Sequence, residues 1–537
     1  MNYFYRMFVA SHLPYAKTNS FSRIVSDYLT GAEQLRSFYL HTPDLAGIRA
    51  AIDSRKAAQT NRALLVQVLK TQYAPLQVNS AVQQNIESLL SPNTFTITTA
   101  HQPNLFTGPL YFIYKIIHAI KLASSLKQQL PDYNFVPVYY MGSEDADFAE
   151  LNHTYVDGKK LEWKKEQSGA VGRMIVDKTL VQLIDELEGQ LGVEENGKEV
   201  IALLRNAYKP GVTVQAATFE LLNELYGAYG LVILIPDQAQ LKAQMQSIFT
   251  DDLFHNKPFQ LASQTSERIN EHYEAQAFPR EINLFYLEEG IRERIEKKED
   301  LFYVLNTDIS FSKEELETEL VNHPERFSPN VILRGIYQET ILPNIAFVGG
   351  GGELAYWLQL KDLFQSYNVP YPVLVLRNSF LVVEDKWKKK IDQLNLGFED
   401  LFMKLDSLVT RIAKEKAEHP VSLNGNFEKA AQLFEQIRQQ ATLVDKTLTN
   451  HVEAIQTRSL KALQGLEKKM LRAEKRKYAD LQRQLEKLKA ALFPNGGLQE
   501  RVENFSLFYA KWGKSFIEEL CEHSLTLEQE FTVLVEE

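Results

Sequence analysis

Between residues 427 and 492 the chain has no proline and a single glycine, Gly465. A stretch this long without helix breakers constrains the fold more than any other feature, because it accommodates one or two long helices and little else. Phe427, Ala430, Phe434, Ile437, Ala441, Val444, Leu448, His451 and Ile455 alternate by three and four, an a/d seam over four heptads in which only His451 is polar. A second run, Leu463, Leu466, Met470 and Ala473, shifts phase to Tyr478, Leu481, Leu485, Leu488 and Leu492, which predicts a local unwinding or break. Two long helices in succession predict an antiparallel hairpin, stopped by Pro494, Asn495, Gly496 and Gly497. An apolar stripe of that length predicts a homodimer closed over residues 427–492.

The rest of the chain has a different rhythm. The β-branched run Thr94–Thr99 predicts a strand, and Pro109 opens a helix in which Leu110, Ile113, Tyr114 and Ile117 draw one buried stripe. Phe135–Tyr140 predicts the next strand, with Pro137 arguing against a central position. Strand, helix, strand at this spacing implies a parallel crossover. Leu231–Ile235, Ile345–Val348 and Val373–Leu376 have the continuous apolar character of buried parallel sheet. The expected fold class is therefore α/β: a doubly wound parallel-sheet core with connecting insertions, plus a long α-helical coiled coil. The expected division is 1–154 (core, first part), 155–215 (connecting insertion), 216–249 (core strand and helix), 250–330 (second insertion), 331–380 (core, last part), 381–493 (coiled coil) and 494–537 (a segment returning to the core).

Composition excludes several classes. The 537 residues carry 59 Lys and Arg against 69 Asp and Glu, a net charge of −10, which leaves no overall electrostatic footprint for nucleic acid. Residues 461–490 hold ten Lys and Arg against four Asp and Glu, but the near absence of aromatics there reads as a solvated helical face. No apolar run approaches the ~18–20 residues that span a membrane. Met1–Ala10 contains only a four-residue apolar run, too short for a secretory leader. The single cysteine, Cys521, points to a reducing compartment, the cytoplasm. The eleven histidines have no HExxH or similar spacing, so no protein-bound zinc is expected.

Three segments carry chemistry. In the first, His101–Gly108 leaves a strand and enters a helix N-terminus, where free amides gather; Gln102, Asn104, Thr107, Gly108 and Lys115 are candidate substrate-binding residues. The alternative is a tight helix start. The second, Gly142–Asp147, puts Glu144, Asp145 and Asp147 within four residues, with Ser143 beside them. Like charges this close want an amine, a cation such as Mg2+ or protons, and can supply a general base. The alternative is an acidic loop capping the next helix. In the third, four glycines, Gly349–Gly352, lie between a strand and a helix as a nest of anion-binding amides. Gly350 and Gly351 are its candidates, joined by Arg334, Gln338, Glu353 and Tyr356. A separate nucleotide-sized site for ATP or ADP is expected from Asn495, Gly496, Gly497, Arg501, Phe505 and Tyr509, with backbone donors, a phosphate partner and stacking faces. The alternative there is a helix stop followed by a packed C-terminal helix.

Together these segments resemble one family, the cysteine-adding enzymes of bacillithiol biosynthesis (BshC). The pieces are QPNLFTGPLYFIY (102–114), GSEDAD (142–147), NLFYLEEG (283–290), NVILR (330–334), VGGGGELAYW (348–357) and LFPNGGLQER (492–501). The chain departs from the family pattern at Asn104, where glycine is expected, and at Gly335, where proline is expected. The resemblance implies a Rossmann-like core, a dimer through the coiled coil, and joining of L-cysteine to the amine of glucosaminyl malate. Two other classes remain open at this point. His101–Asn104 resembles the HxGH loop of nucleotidylyl transferases, with Asn104 in place of the second histidine, and a non-catalytic coiled-coil scaffold with a relic core fits the helical half.

Overall fold

The computed structural model describes residues 7–165 and 168–537; the opening of the stretch weighed as a leader, residues 1–6, lies outside them. The chain divides into two compact units, residues 1–383 with 497–537, and residues 384–496.

A five-stranded parallel sheet is the centre of the first unit. Its order is Val373–Leu376, Asn344–Gly349, Thr94–His101, Asn134–Met141, Val232–Leu234. All five strands anticipated from β-branched and apolar runs are present. The Asn134–Met141 strand is internal despite Pro137, because its outer neighbour pairs only from Val138 onward and leaves the proline beyond that ladder. One hydrophobic cluster joins Phe95, Ile97, Val348 and Val375 of the sheet to Ile48 and Ile52 of the Leu45–Ala57 helix and Leu122 and Leu126 of the Tyr111–Gln129 helix. Each such side chain contributes roughly 1.5–3 kcal/mol on full burial.

The Tyr111–Gln129 helix is buried on more than its predicted stripe: Phe112, Ile116 and Ala119 are also sealed. The C-terminal segment covers its outer side, where His118 Nε2 lies 2.6 Å from the Thr526 carbonyl and Lys121 Nζ donates to the Glu522 carbonyl at 3.0 Å. The chain ends meet in a small sheet in which Phe8–Pro14 runs antiparallel to Glu530–Glu536, itself parallel to Phe380–Val383. The expected coil boundary at 381 thus cuts a strand that belongs to the first unit. The 250–330 insertion carries a five-stranded sheet, Ser310–Phe311, Leu301–Val304, Ile291–Lys298, Leu284–Glu288, Phe327–Pro329.

The second unit holds the helices Asn424–Val444, Leu448–Lys477 and Ala479–Leu492. The hairpin turn falls at Asp445–Thr447, inside the seam that the sequence reading carried unbroken to Ile455. Asp445 Oδ1 accepts from the Thr447 amide at 2.8 Å and from its hydroxyl at 2.9 Å, an Asx turn that reverses the chain. The predicted phase shift coincides with a break at Tyr478, whose φ and ψ of −107° and 28° interrupt the helix. Among the described residues, no helix is long and apolar enough to cross a membrane.

Candidate functional site

In the central sheet the chain winds outward from Thr94–His101 to Val232–Leu234, then crosses to Asn344–Gly349 on the other side. The strand order reverses between Thr94–His101 and Asn344–Gly349, the position at which such sheets bind ligands beyond their carboxyl ends. A cleft of about 890 Å³ opens there. All five strand ends reach it, through His101 and Gln102, Gly142 with Glu144 and Asp145, Pro236, Gly350, and Arg377; the 250–330 insertion supplies a further wall.

Cations occupy the core side. Lys115 is 3% exposed, forms an ion pair with Glu353 and donates to the Ala100 carbonyl at 3.0 Å. Burial holds its ammonium below the usual lysine range, partly offset by Glu353. Arg377 is gripped by Glu500 through two bonds of 2.7 and 3.0 Å. Burial works against that guanidinium, but Glu500 outweighs it and raises the pKa. Arg334 donates to the Tyr356 hydroxyl and, at 3.4 Å, to Gln338 Oε1. Gln338 in turn donates to Glu339, which pairs with Arg55, so a fully enclosed polar chain fixes the arginine from behind. Near these cations burial drives His101 well below the ordinary histidine range, aided by Lys115, Arg377 and Arg334; its ring is neutral and Nε2 has no partner.

The acidic segment does not form the cluster its spacing predicted. Glu144 turns inward to pair with Lys242, which is 0% exposed and also meets Asp237 Oδ1 at 3.3 Å. Arg173 clamps Asp237 at 2.7 and 2.8 Å. Burial raises the Glu144 carboxyl against the pull of Lys242. For Asp237 burial pushes upward too, yet Lys242 and Arg173 outweigh it and hold the carboxyl low. Asp145 faces the cleft and accepts from Gln102 Nε2 at 2.8 Å. Asp147 is a helix N-cap, accepting from the Glu150 amide at 3.2 Å, and does not line the cleft. Mutual repulsion is therefore relieved by divergence. Among the described residues, no group of three or more His, Cys, Asp or Glu is arranged to hold a metal ion.

Of the other predicted residues, Gln102, Lys115, Arg334, Gly350, Glu353 and Tyr356 line the cleft. Asn104, Thr107 and Gly108 do not: they lie under it in a loop where Phe106 and Thr107 have φ of 49° and 74°. Asn504 pins that loop by donating to the carbonyls of Phe106 at 2.8 Å and Gly108 at 2.6 Å. A Cβ on Gly108, at φ +64°, would stand 2.8 Å from Asn104 Cβ, so this glycine serves the turn. Ser143 is fully buried against Gly172, and Gly351 faces Val25. The glycine run is a weaker nest than expected, because the Gly350 amide is already accepted by Glu353 Oε2 at 2.8 Å. Gln338 supports Arg334 from outside the cleft.

The separate nucleotide site is not assembled as drawn. Phe505 and Tyr509 are 0% and 3% exposed, and the Tyr509 hydroxyl donates to Glu199 at 2.7 Å, so their faces are consumed in packing. Asn495 and Gly496 form a left-handed turn ending the second unit, whereas Gly497 begins the closing part of the first. Arg501 lines the main cleft instead. The sequence reading missed Lys242, Glu500 and the insertion arginines Arg280, Arg292 and Arg294. Arg377 also went unassigned, although a charge directly after four buried apolar residues is a usable signal of a strand-end site.

Residues 9–378 match the family model for the N-terminal Rossmann-like domain of bacillithiol biosynthesis BshC, and residues 380–536 match that for its C-terminal coiled-coil domain. Relatives carrying the name "Putative cysteine ligase BshC" include one from Flavobacterium johnsoniae, 42% identical over 525 residues that span 97% of this chain and 99% of the relative. One from Christiangramia forsetii is 39% identical over 97% of this chain and 98% of its own. Another from Flavobacterium psychrophilum is 38% identical over the same two shares.

Proposed function

The chain belongs to the BshC family of bacillithiol biosynthesis, and from that premise we propose that it is a cysteine ligase whose cleft joins L-cysteine to the amine of glucosaminyl malate, giving bacillithiol. The observation that carries this reading is a single cleft lined both by cations, Lys115, Arg334 and Arg377, and by the carboxylates Glu144 and Asp145. The new bond runs from the cysteine carboxyl carbon to the amino nitrogen, and the ammonium gives up two protons (one before attack, one as the tetrahedral adduct collapses). One carboxyl oxygen departs, as water or, when ATP activates the carboxylate, on the phosphate. Arg334, which has no carboxylate within ion-pair distance among the described residues, holds the cysteine carboxylate together with Lys115 and stabilises the charge that grows on its oxygen. Asp145 grips the ammonium and accepts its proton, with Gln102 orienting the carboxylate. His101 acts as a neutral hydrogen-bonding group, since its burial, and secondarily three neighbouring cations, oppose its protonation. ATP is the cofactor of this reading, in the role of activating the carboxylate.

The test is a thiol mass-spectrometry assay with purified protein, L-cysteine and glucosaminyl malate, with and without ATP and Mg2+. Formation of bacillithiol supports the ligase. Pyrophosphate release from a nucleoside triphosphate without amide formation points to nucleotidylyl transfer, and no turnover with no ligand bound in the cleft points to a scaffold.

A further inference from the structure

Four cations around the cleft are already spoken for. Lys115 has Glu353, Arg377 has Glu500, Arg173 has Asp237, and Lys242 has both Glu144 and Asp237. Three arginines of the 250–330 insertion line the same cleft and, among the described residues, have no carboxylate within ion-pair distance: Arg280, Arg292 and Arg294. Arg292 is preorganised. Its guanidinium lies over the Phe285 ring, 4.0 Å from the centroid, and Nε donates to Ser328 Oγ at 3.1 Å. Those contacts hold the inner edge and leave both terminal nitrogens without a protein acceptor among the described residues. Arg294 is two positions along the same strand and so projects from the same face. Arg280 stands on a loop whose backbone is tied on both sides to Asn283: its amide donates to Asn283 Oδ1 at 3.0 Å and its carbonyl accepts from Asn283 Nδ2 at 2.7 Å.

Among the described residues the negative charges acting on Arg292 are Asp145 and Glu144, and Glu144 is matched by Lys242. Among the described residues lining the cleft, Asp145 and Glu150 are the carboxylates without an ion-pair partner, and Arg280, Arg292, Arg294, Arg334 and Arg501 the cations without one. That leaves a surplus of three positive charges, two once Arg334 is reserved for the cysteine carboxylate. That surplus fits a dianion, and a planar fork with free terminal nitrogens fits a carboxylate or phosphate bidentately. We propose that Arg292, with Arg280 and Arg294, is a dianion-reading wall that takes the two-carboxylate malyl end of the substrate, leaving Arg334 for the single carboxylate of cysteine. This rests on the ligase reading above for the identity of the substrate, but the wall itself is tested without turnover.

The binding arm uses calorimetry of the full chain with L-malate, with inorganic phosphate and ATP as the other dianion sources. The wild type binds L-malate, and Arg292→Gln weakens it at least about tenfold, as loss of a charge-assisted pair does. Arg292→Lys keeps the charge, loses the fork and weakens it as well; Arg294→Gln, on an exposed side chain, gives a smaller loss and guards against a folding artefact at Arg292. The kinetic arm expects KM for glucosaminyl malate to rise with KM for cysteine unchanged. Absence of L-malate binding, or binding indifferent to all three variants, overturns the proposal. Arginine-dependent binding of phosphate or ATP without L-malate also overturns it, since the wall then belongs to a nucleotide. If L-malate binds through Arg292 but no bacillithiol forms, the wall stands and the ligase reading fails.

Discussion

Glu500→Gln is the most direct probe of how the cleft is held. Glu500 is 0% exposed and Arg377 5% exposed, and they share two hydrogen bonds of 2.7 and 3.0 Å, with Ser379 Oγ donating to the same carboxylate at 3.2 Å. Glutamine preserves shape but turns one acceptor into a donor that faces a guanidinium nitrogen. Arg377 keeps the Asn378 carbonyl at 2.9 Å and loses its counter-charge. Removing one partner of a buried ion pair costs about 3–5 kcal/mol. One kcal/mol moves Tm by roughly 2–4 °C in domains of 150–250 residues and less in larger ones, so a fall of about 5–10 °C is expected. Scanning calorimetry at one fixed heating rate reads it. Adding Arg377→Met to Glu500→Leu removes both charges and recovers much of the loss, because a well-packed apolar pair replaces a buried ion pair at little cost. That double variant regains stability but not activity, since Arg377 faces the cleft. A Glu500→Gln protein that melts with the wild type, or a double variant whose loss is the sum of the single losses, refutes the reasoning.

Asp145→Asn lowers turnover by about 10²-fold or more, the share of a general base, with Tm unchanged because the side chain is only partly enclosed; full activity removes Asp145 from the mechanism. Burial raises the Asp252 carboxyl to about 7, against two hydrogen bonds from Asn283 that favour its ionised form. The folded pKa lies above the unfolded one, so the folded state binds the extra proton and stability falls as pH rises from about 4 through 7. Urea midpoints across that range decline in the wild type, and Asp252→Asn, neutral throughout, flattens this slope. The helical unit leaves Leu433, Ile437, Leu448, Ile455 and Leu466 between 38% and 55% exposed; light scattering at micromolar concentration gives a dimer, and Leu433→Glu with Ile437→Glu gives a monomer.

What the sequence determined by itself is whatever is written in local periodicity. β-branched and apolar runs located all five central strands, and the breaker-free stretch located the long helices. Gln102, Lys115, Glu144, Asp145 and Glu353 were legible as cleft-lining positions because residues at the ends of parallel strands and the starts of following helices converge by topology alone. What only the tertiary structure decided is how charges are matched. Glu144, Asp145 and Asp147 are neighbours along the chain yet serve a buried lysine, the cleft and a helix cap, because each satisfies its charge with a group the spacing cannot name. Arg377 meets Glu500 across 123 residues, and Asn504 pins Gly108 across 396. The hairpin turn at Asp445–Thr447 escaped notice because an Asx turn needs one aspartate and no glycine or proline. Arg280, Arg292 and Arg294 read along the chain as surface charge; they become a wall only when the insertion folds its sheet across the open ends of the core strands, since electrostatic partnership depends on distance in space and not on position in sequence.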